Sequence, residues 1–182
     1  MMIKDKNIIY KDTEYMEIVK DIISNEMVLE MKQYRQHFNT TCFDHCLFVS
    51  YNLYLICKKH KLDYRSAARA GLVHDLFLYD WRKREDGRKG LHAFTHPKTS
   101  YENAKKIFTP NKIEKDIILK HMWPVTPIPP RYIESFLITY VDKYFACIEN
   151  SIENNKHKKF QMLNIVTNKR VQKQGWIISA FQ

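Results

Sequence analysis

The chain has 182 residues, of which 45% are hydrophobic and 27% charged, and these proportions are typical of one folded globular domain. Four glycines and six prolines are too few turn-forming residues for an all-β fold. No stretch reaches the ~18–20 uncharged apolar residues of a membrane span, and the first residues lack the apolar core of a secretory signal. We therefore expect a cytoplasmic protein without a membrane partner.

Positive charge is concentrated at the end of the chain. The formal net charge is +10, and residues 151–182 carry six Lys or Arg against one Glu, so +5 of the total lies there. This segment is predicted to be a basic C-terminal extension of a domain formed by residues 1–150. Its charge favours an anionic partner, either a phosphorylated small molecule or a nucleic acid, although a solvated surface is an equally simple interpretation. Its apolar residues near Trp176 and Phe181 suit a contact in a homodimer.

The four cysteines do not form a recognisable metal or redox motif. Cys42, Cys46, Cys57 and Cys147 include no CxxC pair, and their spacings do not fit a zinc finger. We expect reduced thiols that pack between helices, because disulfides are rare in chains without a secretory signal.

Apolar residues at helical spacing predict helices over 13–35, 43–60 and 64–79 in the first half of the chain. The apolar stripe of the second segment includes His45, which is therefore expected to face the core. Small residues in the third segment should let another helix approach closely. The polar stretch 80–95 contains two glycines and is predicted to be a loop at the rim of a site.

Turn and capping residues divide the second half of the chain. Pro97 suits the first turn of a helix, where its missing N–H costs nothing. Asn111 followed by Glu114 resembles a capping box, which predicts the start of another helix. Four prolines in 122–130 exclude regular helix there. The predicted helices of this half are 97–108, 111–121 and 131–149.

Four polar residues on the predicted helices stand out as metal ligands: His45, the adjacent pair His74-Asp75, and Asp142. An aspartate on the inner face of an apolar helix is costly unless it is paired or bound to a cation. Imidazole and carboxylate groups brought together by a fold suit a divalent metal. The alternative is a buried polar network without a metal.

The sequence around these four residues resembles that of the HD-domain phosphohydrolase superfamily, whose signature is H…HD…D. The resemblance covers roughly residues 35–148, with several motifs in the family order. The segments DHCLFVS (44–50), AARAGLVHDL (67–76) and ITYVDKYFA (138–146) carry the signature, and HPKTSYENA (96–104) and IILKH (117–121) resemble the additional histidine motifs of members with two metals.

The resemblance implies an all-α, single-domain helical bundle of the HD-domain type with a metal site at its centre. It also implies hydrolysis of a nucleotide or another small phosphate ester by metal-activated water. One or two divalent ions are expected, with Fe, Mn, Ni, Co and Zn all compatible with nitrogen and oxygen ligands. The family pattern places one metal on His45, His74, Asp75 and Asp142, and a second on Asp75, His96 and His121.

Parts of this assignment stay open at the level of sequence. His96 can instead be a helix N-cap, and His121 a cation that interacts favourably with a helix C-terminus. The chain lacks the GYP motif of the cyclic-di-GMP class, so that substrate is not expected. Rival functions are a metal- or nucleotide-binding sensor without turnover, a nucleic-acid-associated protein and, with less support, an oxidase with two irons.

Five further residues are candidates for catalysis or substrate binding. Asp80 follows the His-Asp pair and is a candidate general acid or base beside Asp75, or else a carboxylate at the start of a loop. Arg82 is a candidate phosphate ligand, with a solvated charge as the alternative. Substrate-binding roles are also predicted for His37, His92 and Lys143, each of which has a surface or structural role as its alternative.

Overall fold

The computed structural model describes residues 2–37, 40–83, 90–149 and 151, without the side chain of residue 37. This part of the chain is mostly helical and forms one domain, so the predicted all-α class is confirmed. Every helix in these ranges is too short or too polar to cross a lipid bilayer. The helices are α1 (Lys6–Lys11), α2 (Thr13–Ile23), α3 (Glu26–Glu30), α4 (Cys42–Lys59), α5 (Tyr64–Val73), α6 (His92–Ile107), α7 (Lys112–Lys120) and α8 (133–149), joined by a 3₁₀ turn (Met31–Gln33) and two short antiparallel strands, β1 (Arg35–His37) and β2 (Thr40–Thr41).

Helix α4 is the central element of the core, because it is buried on most of its circumference. Helix α5 packs against it at very short range. A Cβ atom added at Gly71 would lie 2.8 Å from the Cα of Ser50, so the two backbones are in direct contact. The Ser50 hydroxyl donates to the carbonyl of Ala68 over 2.6 Å and links the helices further. The predicted close approach at the small residues of α5 is therefore confirmed.

The predicted helix over 13–35 is wrong because the chain breaks and turns within it. Helix α2 ends at Ile23, and the side chain of Asn25 accepts a hydrogen bond from the backbone N–H of Met27, which starts α3. Near its end the predicted helix gives way to the 3₁₀ turn Met31–Gln33, and its last residue, Arg35, begins β1. A local cap thus outweighed a continuous apolar pattern.

The predicted helix over 64–79 is too long at its C-terminal end. Helix α5 ends at Val73, and a backbone bond from Leu76 to the Val73 carbonyl closes a turn. The Asn103 side chain in α6 donates to the carbonyl of Leu76 over 2.9 Å. This carbonyl, which lies beyond the end of α5, therefore has a hydrogen-bond partner in another helix. His74 and Asp75 therefore lie in a turn, where they can approach several neighbouring helices.

Helix α6 begins earlier than predicted. It starts at His92, so part of the predicted loop over 80–95 is helical and Pro97 lies inside the helix rather than in its first turn. The proline removes one backbone donor, and the helix continues through it. The predicted capping box at Asn111 and Glu114 is present in full and confirms the start of α7.

The remaining predicted boundaries agree closely with the structure. Residues 122–130 contain turns and bends, as their prolines require. Helix α8 begins at 133, two residues later than predicted. The proposed extension lies almost wholly outside the described residues, because only 151 of that segment is described.

Candidate metal centre

The predicted metal ligands meet in the interior, at the point where the turn after α5 faces four other helices. Each comes from a different element, apart from the adjacent pair His74-Asp75, and all are buried. They are His45 of α4, His74 and Asp75 after α5, His96 of α6, His121 at the end of α7 and Asp142 of α8.

A first group of possible ligands is formed by His45, His74, Asp75 and Asp142. Their ligand atoms all lie within 4.8 Å of one another. His45 Nε2 is 3.0 Å from Asp142 Oδ1. His74 Nε2 is 3.6 Å both from that oxygen and from Asp75 Oδ2. These nitrogen and oxygen atoms are the kind of donor set that binds a divalent metal.

A second group is formed by Asp75, His96 and His121, again with ligand atoms within 4.8 Å of one another. Asp75 Oδ1 is 3.1 Å from His96 Nε2 and 3.3 Å from His121 Nε2. Asp75 thus presents one carboxylate oxygen to each group. A carboxylate in this position can bridge two ions.

Backbone carbonyls orient three of the four histidine rings. In each case Nδ1 lies at hydrogen-bond distance from a carbonyl oxygen, so Nδ1 must carry a proton. In a neutral ring the other nitrogen, Nε2, then has a free lone pair and is the ligand atom. The pairs are His74 with Gly71, His96 with His92, and His121 with Ile118, each at 2.8 Å.

This orientation places several nitrogen and oxygen atoms where one cation would contact them together. His96 Nε2 and His121 Nε2 are only 2.8 Å apart, although both rings use their protonated Nδ1 elsewhere. Within the described residues, the buried His74 Nε2 and Asp75 Oδ1 have no hydrogen bond of acceptable geometry. A proton can satisfy one such contact, whereas a metal ion satisfies several at once. The residues therefore fit a divalent metal.

The first group is strongly charged. Burial lowers the pKa of His45, but its hydrogen bonds to Asp142 and Glu149 outweigh this effect and hold that pKa well above 6.5. Burial also opposes charge on His74, yet Cys46, Asp75 and Asp142 together raise its pKa well above the ordinary value. Conversely, burial raises the pKa of Asp142, while its contacts with the two histidines lower it far below the usual range.

The second group differs from the first in the state of His121. Burial is the main influence on His121 and lowers its pKa, so the ring is neutral and ready to act as a ligand near pH 7. Burial alone would raise the pKa of Asp75, but the surrounding histidines hold it well below 3.8. The shared carboxylate is therefore ionised between the two groups.

Two residues that sequence reasoning missed support the centre from outside. Gln36 of β1 donates from Nε2 to Asp75 Oδ2. Glu149 Oε2 lies 3.2 Å from His45 Nδ1, and Lys4 in turn lies 3.3 Å from the other oxygen of Glu149. Glu149 follows Asp142 by two helical turns, so helical spacing could have identified it. No comparable signal pointed to Gln36, because its short strand was not predicted.

The structure does not bring two of the predicted site residues to the centre. Arg82 Nε lies 3.0 Å from Asp80 Oδ1, and the Arg82 backbone N–H donates to the same oxygen over 3.1 Å. Both side chains are partly exposed, and the residues that line the adjacent cavity do not include them. The predicted catalytic role of Asp80 and the phosphate-binding role of Arg82 thus gain no geometric support.

The other predicted substrate ligands are better placed, with one exception. His92 and Lys143 line a cavity of about 320 Å³ that reaches Asp75 and Asp142. The side chain of His37 lies outside the described residues. The described residues that line the cavity are Gln36, Asp75, Trp81, His92, Ala93, His96, Met122, Val125, Asp142, Lys143 and Ala146.

Comparison with known proteins does not assign the chain to a family. No protein-family model, no curated protein and no solved structure matches it. The resemblance to HD-domain phosphohydrolases therefore rests on the sequence motifs, and any functional conclusion rests on those motifs and the geometry of the centre.

Proposed function

We propose that the protein is a metal-dependent phosphohydrolase that acts on a small phosphate ester. The observation that carries this proposal is the buried pair of Nε2 atoms of His96 and His121, 2.8 Å apart beside Asp75. Because both rings donate through Nδ1 to carbonyls, these nitrogens are arranged to bind a cation. The first group of ligands shares the same aspartate, which supports two ions over one.

The proposed ligands fall into two sets with Asp75 in common. Candidate ions are Fe, Mn, Ni, Co and Zn, because the donors are nitrogen and oxygen. When bound, such ions lower the pKa of water and offset the charge of phosphoryl oxygens. The sets are His45, His74, Asp75 and Asp142 for one ion, and Asp75, His96 and His121 for the other.

The chain's own residues would position the substrate and handle protons. Lys143 lines the cavity, lies 3.9 Å from Asp142 and donates to the carbonyl of His121, so its charge is held beside the place for a phosphate. In hydrolysis, water gives up a proton to the solvent and its oxygen joins phosphorus, the ester P–O bond breaks, and the departing alkoxide takes up a proton. His92 lines the cavity and is a candidate to deliver that proton.

The organisation of the centre favours catalysis over a purely structural role. A structural metal site is closed by protein ligands, whereas hydrolysis needs open coordination positions. Here Asp75, His96 and Asp142 all border an accessible cavity. A cytoplasmic location, expected from the sequence, stays a prediction, as does nucleic-acid binding by the basic segment.

A metal-reconstituted preparation of the full chain tests the proposal against a panel of phosphate monoesters and diesters. We expect release of phosphate from at least one ester, and loss of that activity together with bound metal in Asp75→Ala. Circular dichroism should show that the variant keeps most of its helicity. His60→Ala, at an exposed position after α4, is the matched control and should retain metal and activity.

Two results would contradict the proposal. One is full metal occupancy in Asp75→Ala, since the assigned bridging ligand is then unnecessary. The other is a fully metal-loaded wild-type chain that hydrolyses no ester on the panel, which is the behaviour of a sensor without turnover.

A further inference from the structure

The cavity beside the metal centre has two different ends. At one end are the carboxylates of Asp75 and Asp142 and the imidazole of His96. The rest of the wall is largely apolar or aromatic and belongs to the segment after α5, the start of α6, the proline-rich turns and α8. These residues are Trp81, Ala93, Met122, Val125 and Ala146.

Several polar side chains of the wall donate hydrogen bonds to the protein, although Gln36 Oε1 accepts none within the described residues. Trp81 Nε1 donates to the carbonyl of Gln36 over 3.2 Å, and Gln36 Nε2 donates to Asp75. Lys143 Nζ donates to the carbonyl of His121 over 3.0 Å. Away from the metal ligands, the wall described by the structure therefore offers mostly apolar surface, with Gln36 Oε1, His92 and Lys143 as its polar groups.

Aromatic rings form a flat, rigid part of this wall. His92 stacks on His96 with ring centroids 4.3 Å apart, and Trp81 stacks on His92 at 5.5 Å. The Tyr79 hydroxyl lies 3.2 Å from His92 Nδ1 and fixes the middle ring. Since both neighbours restrain His92, the aromatic stack is organised before a ligand arrives.

The size of the cavity limits what it can enclose. At about 320 Å³ it lies at the small end of the range for ligand sites. A phosphate at the carboxylate end leaves room for one compact group against the apolar wall. One apolar wall can contact one organic substituent. A monoester carries one such group and a diester carries two, so the cavity favours a monoester.

We propose that the cavity binds the organic group of a phosphate monoester, and that this group is compact and apolar, either aryl or short alkyl. The inference depends on the proposed function for its phosphate, because the metal ions would hold that end of the ligand. It extends the function by naming the substrate class: a simple aryl or alkyl monoester is preferred to a nucleotide or a sugar phosphate.

Phosphonates test this inference without turnover, because their P–C bond is not hydrolysed. Isothermal titration of the metal-reconstituted full chain with phenylphosphonate and with hydroxymethylphosphonate compares an apolar with a polar substituent. We expect phenylphosphonate to bind about tenfold more tightly or better. Equal affinities, or tighter binding of the polar compound, would overturn the inference even if the protein proves to be a phosphohydrolase.

A pair of matched variants locates the effect in the cavity. Val125 and Ile128 are both exposed apolar residues of the proline-rich turns, but only Val125 is among the cavity residues. Val125→Ser should weaken phenylphosphonate about fivefold and leave hydroxymethylphosphonate unchanged. Ile128→Ser should change neither. Equal losses in both variants would contradict the assigned wall.

A filling substitution provides a second, independent measurement. Ala146 is half-buried on α8 and lines the cavity. Ala146→Leu should lower the affinity for phenylphosphonate at least about tenfold, because the larger side chain fills the cavity. Metal content and the affinity for inorganic phosphate should not change. Unaltered binding of phenylphosphonate would place the organic group elsewhere. Failure of the loaded wild-type chain to hydrolyse any ester would instead reject the proposed function, since these titrations measure binding alone.

Discussion

The two ligand groups that share Asp75 contain the same kinds of side chain but differ in how their charge is balanced. In the first group, His45 and His74 lie among carboxylates, and their pKa values are raised well above 6.5. In the second, burial lowers the pKa of His121, and its Nε2 faces that of His96 at 2.8 Å. Protons can therefore replace a cation in the first group far more readily than in the second.

This difference comes from the elements that carry the histidines. His45 is contacted by two acidic residues of α8, Asp142 and Glu149, one at each ring nitrogen. His96 and His121 use backbone carbonyls of their own helices to orient their rings. Carboxylates favour a protonated imidazole, whereas carbonyls fix the tautomer and leave a neutral ligand atom. Metal binding should thus displace protons mainly in the first group.

Removing one histidine from each group gives the largest expected effect. His121→Ala should lose the ion of the second group and retain the other, and His45→Ala should do the reverse. Each loss should exceed about a hundredfold in affinity, because weaker contacts outside a ligand set already cost 10–100-fold. Metal analysis after dialysis measures the ion count in each variant. Loss of both ions in each single variant would show that the groups are one inseparable site.

Glu149→Gln sharpens the comparison, because it changes only the support of the first group. The amide cannot stabilise positive charge on His45, and its hydrogen bond is weaker than that of a carboxylate. We expect a 10–100-fold loss of affinity for the first ion and little change for the second. Glu102→Gln is the control, since Glu102 is exposed and pairs with Lys105 on α6. A similar loss for both ions would mean that Glu149 acts on the whole fold.

The pH dependence of metal binding should differ between the groups. The raised pKa values of His45 and His74 stabilise the metal-free fold below pH 6.5, and this stabilisation disappears as pH rises through those values. Metal must displace these protons, so its affinity for the first group should increase as pH rises above 6.5. Calorimetry in buffers of different ionisation enthalpy should detect up to about two more protons released per ion in His121→Ala than in His45→Ala, since both His45 and His74 give up a proton. Equal release would remove the proposed electrostatic difference.

Gly71→Ala tests the packing that holds the two groups together. A Cβ atom would lie 2.8 Å from Ser50 Cα, so α5 must shift relative to α4. We expect a loss of about 1–3 kcal/mol in the free energy of unfolding. Metal affinity should fall more for the first group, since His45 lies on α4. Urea unfolding measures the stability, and Ala70→Gly controls for helix propensity. Unchanged stability would contradict the close contact.

Helical periodicity and motif spacing predicted much of the molecule. The ligands His45, His96, His121 and Asp142 were assigned to helices or their ends, and the structure brings them together around Asp75. Helix faces repeat at a fixed interval that the sequence displays directly, and this repeat placed His45 on the core face. The association of His96 and His121 with Asp75 came from the resemblance to the family motifs, and the role of all these residues as metal ligands stays a prediction.

Features set by tertiary contacts were not predictable in the same way. Gln36 reaches Asp75 from a three-residue strand whose partner strand has only two residues, and such short elements have no periodic signature. Asp80 and Arg82 follow the ligand pair closely in sequence, but they pair with each other near the surface. Their closeness to the ligand pair in sequence did not reveal that, beyond the end of α5, their side chains lie away from the centre.

Anomalous diffraction from crystals of the metal-reconstituted protein, recorded at the absorption edge of the bound metal, tests the central claim most directly. We expect two peaks with Asp75 between them, one bonded to His45, His74 and Asp142 and the other to His96 and His121. A map with no peak at bonding distance from Asp75 would contradict it.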